Sequence, residues 1–485
     1  MPEIRFSDTT IRDGPNSLWA QNSRTGMLTP MVENIDNAGF ESIEIDGNPS
    51  KKIVRELQED PWERIREIAK LAKKTPLRVV GGRSYAAFDL TPMALYEMHL
   101  NALARNGVHQ LRLSDSGNEA EGWAERLALA KAAGLDVIIN LIYSVSPRHT
   151  DEYYALKTQQ AVALKPFRIC LKDPGGLLTP ERMKTLVPAI QPHLAGYTLE
   201  LHTHCTTGLG PLVALEGIKL GIPNIHVASP PLANGSGNPS VFHIAQNARA
   251  LGYDTLLDEE VLLPLEPHFT AICKREGFTI GTPLEYDERQ YQHQVPGGMI
   301  SNLRFQLGNL NRSHLLDAVL AECELVRAEM GYPVMVTPFS QFVGTQATIN
   351  VINGTRYEVV TDQNLQYALG WWGYESADAM DPNVRDKMLN RTRARELSAN
   401  PPPEPSAQEI RQKYGNKSDE EILLRFAAGD EATDDLLKIG PHKPYHVGPH
   451  PIVDLVRGLV DRDGPDHIDL NRPGFSLIAG RQSHD

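Results

Sequence analysis

Apolar, β-rich segments and helically spaced stretches take turns along the first half of the chain. Between Ile4 and Ala228 eight short segments have strand character: Ile4–Asp8, Ser42–Asp46, Leu77–Gly81, Gln110–Ser114, Asp136–Ile142, Phe167–Leu171, Leu199–His204 and Asn224–Ala228. Helix patterns such as Trp62–Ala72, Leu90–Asn106 and Gly122–Ala133 separate them. Strands alternating with helices predict a parallel α/β fold. Eight βα units predict a closed (β/α)8 barrel, since eight strands let interior side chains fill the lumen. An open doubly wound sheet is the alternative, and the chain offers it no persuasive G-x-G-x-x-G fingerprint. Polar residues collect where the segments end, among them Asp13, Asp46, Asp115, Lys172, His202 and His204. In a barrel those positions share one rim, where barrel chemistry sits.

The rest of the chain changes character. Residues 285–400 carry helical stretches, for example Arg312–Met330, and the loop-like strings VPGGMISNL and VTPFSQFVGTQATINV. A Pro-rich run from Asn400 to Pro405 then breaks helix continuation. Beyond it Ser418-Asp419-Glu420-Glu421 looks like a capping box opening the helix EEILLRFAAG. The end reads as a helix and a hairpin turning near Asn471–Gly474. The expected organisation is a barrel over residues 1–284, a helical funnel domain over 285–400, and a Pro-rich, helical and hairpin segment over 401–485. No internal repeat is visible.

Composition narrows the function. With 41% hydrophobic and 22% charged residues over 485 positions, this is a globular chain of more than one domain. Its net charge of −13, from 48 basic and 61 acidic residues, argues against nucleic acid or an anionic membrane as the main partner. The N-terminus lacks the basic-then-apolar pattern of a secretory signal, and no apolar run is long enough to span a bilayer. Cys170, Cys205, Cys273 and Cys323 are widely spaced and read as reduced thiols of a cytoplasmic protein.

The sharpest local signal is His202-Thr203-His204 at a strand end. Strand side chains alternate faces, so both imidazoles point the same way and make half of a divalent metal site. Two hydrogen-bonded structural histidines are the alternative. Asp13 supplies a hard oxygen ligand, while Asp8 anchors the turn by local hydrogen bonds. Arg12 is a fixed cation suited to a carboxylate or an enolate oxygen, or to bracing the rim by a salt bridge. Lys172 alone reads as an ion-paired lysine. In the company of Asp13 and two histidines it reads as a ligand, because a buried amine beside a metal is poised to form a carbamate.

DTTIRDG, residues 8–14, resembles the signature of metal-dependent barrel lyases, synthases and carboxyltransferases. EDPWERIREI, LKDPGGLLTP, LHTHCTTG, VPGGMISNL, VTPFSQFVGTQATINV and SDEEILLRFAAG resemble one branch: the carboxyltransferase domain of pyruvate carboxylase and the oxaloacetate decarboxylase α subunit. The resemblance implies a divalent metal (zinc, manganese or cobalt) held by Asp13, carboxylated Lys172, His202 and His204. It implies that Ser301 relays a proton, that Thr337–Gln346 helps form a funnel, and that biotin arrives in trans on a carrier. Biotin carrier and biotin carboxylase subunits, a small-molecule carboxyl acceptor or donor, and a homo-oligomer follow as expected partners. The departures are specific. Gly81 stands where the pyruvate-type enzymes clamp substrate with arginine, and Arg83 offers a cation from a shifted position. Asn16 replaces a glutamine, and Cys205 and His226 each replace an aspartate. With Arg12, Asn16 and Arg83 as the substrate-binding set, an enolisable acceptor other than pyruvate is expected. No biotin-bearing Met-Lys-Met string occurs, and Lys387-Met388 reads as a surface lysine in a helix. The terminal helix and hairpin either dock a partner or close the fold. A biotin-independent metal lyase or decarboxylase working through an enolate is the alternative function.

Overall fold

The structure is a computed structural model. It describes residues 2–83, 90–445, 447, 467–472 and 475–480. The eight expected segments form strands β1 to β8: Glu3–Asp8, Ser42–Glu44, Leu77–Gly81, Gln110–Leu113, Asp136–Ile142, Arg168–Asp173, Leu199–Thr203 and Asn224–Val227. All pair in parallel in sequence order, and β1 pairs with both β2 and β8, which closes the barrel. The fold is therefore a (β/α)8 barrel followed by a helical region and a terminal hairpin.

Local chemistry sets the helix boundaries. Asp60 accepts from the Trp62 amide at 2.9 Å and Pro61 opens the helix Pro61–Leu71. Thr179 does the same for Pro180–Ile190 through the Arg182 amide at 3.0 Å. The helix Asp419–Ala428 begins at Ser418 as expected, but only one arm of the capping box forms. Ser418 accepts from the Glu421 amide at 3.1 Å, while the Glu421 carboxylate turns to Arg425 at 2.7 Å. The charged partner wins because a guanidinium offers a stronger bond than a backbone amide.

Helices from Arg289 to Ala399 pack around their own apolar core, which includes Phe339, Phe342, Val343, Tyr367 and Met388. They are tied to the barrel mouth by polar contacts. Ser116 Oγ donates to the Thr337 carbonyl at 2.9 Å, Arg327 reaches Ser144 Oγ at 2.9 Å, and Lys157 Nζ meets Glu375 at 2.6 Å. The helix Thr392–Ala399 stops at the proline run. Lys387 is exposed on the helix Pro382–Leu389. Residues beyond the run return to the barrel wall, where Glu420 pairs with Arg66 at 2.9 Å and Asp419 with Arg105 at 2.6 Å. Chain contacts divide the molecule into two compact units, residues 1–443 and 444–485. In the second, His467–Arg472 and Phe475–Gly480 form an antiparallel hairpin. The helix expected before it lies outside the described residues. Among the described residues no helix is long and apolar enough to cross a membrane.

Candidate metal and substrate site

β1 ends at Asp8, whose carboxylate accepts from the Thr10 amide at 3.2 Å and from the Thr10 hydroxyl. This local turn starts the short helix Asp13–Leu18 and presents Asp13 at the barrel mouth. β7 delivers His202 and His204 to the same place, one on each side of Thr203. His202 Nε2 lies 3.6 Å from Asp13 Oδ2, His204 Nε2 lies 3.5 Å from Asp13 Oδ1, and the two Nε2 atoms are 3.1 Å apart. All three residues are buried, and their candidate ligand atoms lie within 4.8 Å of one another. The structure thus brings Asp13, His202 and His204 together.

The surroundings prepare each group. His204 Nδ1 lies 2.6 Å from the Ser236 carbonyl, so it carries the proton and leaves a lone pair on Nε2. Burial alone would raise the Asp13 pKa. The Arg12 guanidinium, the Ser17 hydroxyl at 2.8 Å and Arg112 overcome that and hold the carboxyl far below its usual range. Lys172 is the penultimate residue of β6, in register with His202. Burial first, then the Arg112 and Arg12 guanidiniums, bring its pKa down to about 8. Its Nζ approaches Ser114 Oγ at 3.5 Å. A lysine so placed has ready access to the neutral amine. The loop after β6 must pass close to β7, and Gly176 allows it. Its φ is +63°, and a Cβ there would meet the His204 carbonyl oxygen at 2.8 Å.

Above these groups opens a cavity of about 670 Å³. Arg12, Gly81, Arg83 and Lys172 line it from the barrel, and Thr337–Phe339 with Trp371–Tyr374 line it from the helical region. Of the stretch Thr337–Gln346, the first three residues reach the cavity. The helix Phe339–Asn353 carries Gln346 away to bond Asn350 and the Val359 carbonyl, each at 2.9 Å. Arg12 bridges Asp13 at 2.6 Å and Glu44 at 3.0 Å while lining the cavity, so it both braces the rim and faces the substrate space. Asn16 donates to Asp46 at 3.3 Å. Arg83 lines the cavity, but its guanidinium is held by the Thr91 carbonyl at 2.7 Å and by Glu404. A Cβ on Gly81 would meet nothing nearer than Leu111 at 3.5 Å. Ser301 sits in the helix Gly297–Asn309, and its side chain lies outside the described residues.

Sequence reasoning missed the layer below the site. Arg112 on β4 contacts Glu44 at 3.2 Å, His202 Nδ1 at 2.9 Å and His226 Nδ1 at 2.5 Å. Arg78 binds Glu200 across the lumen at 2.8 and 3.1 Å. The available signal was polar residues two apart on a strand, as in Ser42, Glu44 and Asp46, or Gln110 and Arg112, or Glu200, His202 and His204.

Comparison with known proteins agrees with this architecture. Residues 3–266 match the HMGL-like family model and residues 291–438 match the conserved carboxylase domain model. A pyruvate carboxylase subunit of Methanocaldococcus jannaschii is 32% identical over 391 residues, covering 80% of this chain and 68% of that protein. The methylmalonyl-CoA carboxyltransferase 5S subunit of Propionibacterium freudenreichii subsp. shermanii is 30% identical over 432 residues, covering 87% and 85%. The solved carboxyl transferase domain of Rhizobium etli pyruvate carboxylase superposes with a TM-score of 0.79 at 21% identity, covering 100% of this chain and 84% of that one. By its barrel, its helical region and these relatives, the chain is a member of the carboxyltransferase family of biotin-dependent carboxylases, and an enzyme of that class.

Proposed function

We propose that the chain is the carboxyltransferase component of a divided biotin-dependent carboxylase or decarboxylase, moving a carboxyl group between biotin on a separate carrier protein and pyruvate or a related 2-oxo acid. The observation that carries this reading is the convergence of Asp13, His202 and His204 at the barrel mouth, beside a cavity lined by Lys172 and Arg12.

The donor set fits a divalent cation. One buried carboxylate and two imidazole nitrogens are close enough to share it, and Lys172, once carboxylated by carbon dioxide, would add an anionic oxygen. Nitrogen and oxygen donors of this kind suit zinc, manganese or cobalt. When bound, the cation supplies Lewis-acid stabilisation of negative charge developing on the substrate oxygen. Arg12 reinforces it from the cavity wall with a fixed positive charge. The hydroxyl of Ser301 is assigned the proton transfer between biotin and the enolate carbon, on the family resemblance. Asn16 holds Asp46 in place at the rim. Arg83 reaches a substrate carboxylate by exchanging Glu404 for it.

The sequence-based expectation of an acceptor other than pyruvate meets a relative that is itself named as part of a pyruvate carboxylase. The proposal is therefore the 2-oxo-acid class, pyruvate included, with Gly81-Gly82-Arg83 as the wall where acceptor identity is chosen. Residues 1–284 are assigned as the catalytic barrel, 285–400 as the funnel, and 401–485 as the closing or docking segment. A biotin carrier and a biotin carboxylase are the proposed partners, the assembly is a homo-oligomer of this chain with them, and its place is the cytoplasm.

The test is oxaloacetate decarboxylation by the isolated full chain, with and without free biotin, read as pyruvate by a coupled assay. Biotin-stimulated turnover, abolished by a chelator and by Asp13→Asn, is the expected result. Turnover indifferent to biotin would select the lyase reading instead. No turnover with oxaloacetate, but biotin-dependent turnover with a larger carboxylated 2-oxo acid, would put the acceptor beyond pyruvate.

A further inference from the structure

Arg126 belongs to the helix Ala120–Ala132 and lines the cavity beside Gly82. Its side chain is buried, and two of its three nitrogens are already fixed. Nε donates to the Gly122 carbonyl at 2.6 Å, and Nη2 is paired with the Asp115 carboxylate. Asp115 is held in turn, since its other oxygen accepts from the Gly117 and Glu119 amides, each at 3.0 Å. Nη1 has no hydrogen-bond partner among the described residues. It faces Gly82, where a Cβ would stand 3.9 Å from it. The buried Tyr96 hydroxyl, within Coulomb reach of the same guanidinium, also lacks a hydrogen-bond partner among the described residues. An ion pair that only fastened β4 to its helix gives no reason for both donors to stand open. A guanidinium presents its donors in a fixed planar fork, so an edge left open at a cavity wall is a preformed seat for a carboxylate.

The other cations of the cavity are engaged elsewhere. Arg12 bridges Asp13 and Glu44 at the deep end, and Lys172 lies beside Ser114 Oγ. Arg83 is turned to the Thr91 carbonyl and to Glu404. The acidic side chains of the wall do not close Arg126 off. Glu119 accepts from the Ser376 amide and hydroxyl, each at 2.9 Å, and Glu121 and Glu125 are exposed, where water and salt screen them. From Ser114 beside Lys172 the wall continues through Asp115 and along Gly81-Gly82 to Arg126. Two successive glycines leave that stretch without side chains. A molecule lodged by its oxo end at Arg12 and Lys172 has a free course to the guanidinium, and the cavity of about 670 Å³ is far larger than pyruvate needs.

We infer that Arg126 selects the acceptor by binding a second carboxylate at the far end of the 2-oxo acid, so that the preferred substrate is a 2-oxo dicarboxylic acid. This names the substrate class of the site proposed above and rests on that reading. The oxo group and its adjacent carboxylate stay at the deep end with Arg12. The remote carboxylate takes the open edge of the fork, while Asp115 and the Gly122 carbonyl hold the guanidinium from behind. A monocarboxylic acid such as pyruvate leaves that edge empty and forgoes its charge-assisted bonds. Arg83 can join only by leaving Glu404, whereas Arg126 is already in place, and a preset donor spends no affinity on ordering. Lysine is no substitute here, because a single ammonium cannot hold Asp115, the Gly122 carbonyl and a carboxylate in one plane.

Two acids of equal length, titrated calorimetrically into the full chain with zinc supplied, are the probes. 2-Oxopentanedioate ends in a carboxylate and 2-oxopentanoate in a methyl group. The native chain is expected to favour the dicarboxylate by about 10- to 100-fold, the worth of hydrogen bonds to a charged group. Arg126→Met should erase that preference while 2-oxopentanoate still binds. Arg126→Met combined with Asp115→Asn leaves no unpaired carboxylate behind and should give the same result if the single variant fails to fold, as read by far-UV circular dichroism. Arg126→Lys should recover little of the preference, since it lacks the planar fork. A native chain that binds neither acid would sink the 2-oxo-acid reading, and this inference with it. A native chain that binds both acids without preference would overturn this inference alone. So would a preference that survives Arg126→Met, and its loss in Arg83→Met would then move the contact to Arg83.

Discussion

Arg78 and Glu200 belong to strands that are not neighbours, and they meet only because the sheet closes and turns both side chains into the lumen. Both are fully buried, so each charge has lost its water and depends on the other. Arg78→Met leaves Glu200 with Arg168, His226 and the Asn224 amide. The expected cost is about 3–5 kcal/mol in urea unfolding of the metal-free chain. The double variant Arg78→Met with Glu200→Met should recover most of that cost, because no unpaired charge is left buried. Equal losses in the single and double variants would show that packing sets the cost. No sequence pattern names this pair. A strand reveals that Arg78 and Glu200 each face one side, but the partner 122 positions away is chosen by barrel closure. The same holds for Arg83, read as a free substrate cation, which meets Glu404 321 positions later. Asp13, His202 and His204 were legible because the rim of a barrel is a shared place, so strand ends can be collected without knowing their partners.

The β6–β7 crossover shows how an element fixes a site. Asp173 ends β6 and its carboxylate accepts from the Leu177 and Leu178 amides at 2.8 and 2.9 Å, folding the Pro174-Gly175-Gly176 turn back on itself. Thr203 on β7 donates to the same carboxylate at 3.0 Å, and the His204 amide donates to the Asp173 carbonyl at 3.1 Å. The turn thus clamps the backbone of the residue that presents its imidazole to Asp13. Gly176→Ala adds a Cβ at positive φ against the His204 carbonyl and the Thr206 amide. A loss of about 1–3 kcal/mol is expected. Zinc affinity should fall with it, because His204 must shift to make room. Unchanged zinc affinity in a destabilised variant would separate the turn from the site. Elements of this kind were mostly legible: β3 and β5 match their sequence-based bounds, β6 is shifted at both ends, and the other strands differ by one or two residues at one end. Those ends moved because register with the neighbouring strand, not the local sequence, decides where pairing stops. The π-helical turn Lys52–Leu57 had no sequence signal. It packs beside the helix Asp430–Ile439, and Arg55 there reaches the Ala428 carbonyl at 2.8 Å.

At the scale of the whole molecule, imidazoles buried outside the lumen make stability depend on pH. His99 donates from Nε2 to the Gly47 carbonyl at 2.7 Å, and burial lowers its pKa from 6.5 to about 4. His149 lies where the barrel meets the helical region, and burial, then Arg327 and Arg148, lower its pKa from 6.5 to about 3. Below pH 6.5 the unfolded chain takes up a proton at each residue that the folded chain refuses. The folded state therefore loses about 1.4 kcal/mol per pH unit for each histidine as pH falls, until its folded pKa is reached. Above pH 6.5 both states are neutral there and the contribution is flat. Urea unfolding at about pH 7.5 and about pH 5 should differ by about 4 kcal/mol from this pair. His99→Gln keeps an amide donor for Gly47 and should remove about half of that difference, as should His149→Gln. If both variants kept the full difference, the acid sensitivity would have to come from carboxylates instead. The window separates the two sources, because a carboxylate held low by an arginine gives up its contribution below pH about 4, where these histidines have already given up most of theirs.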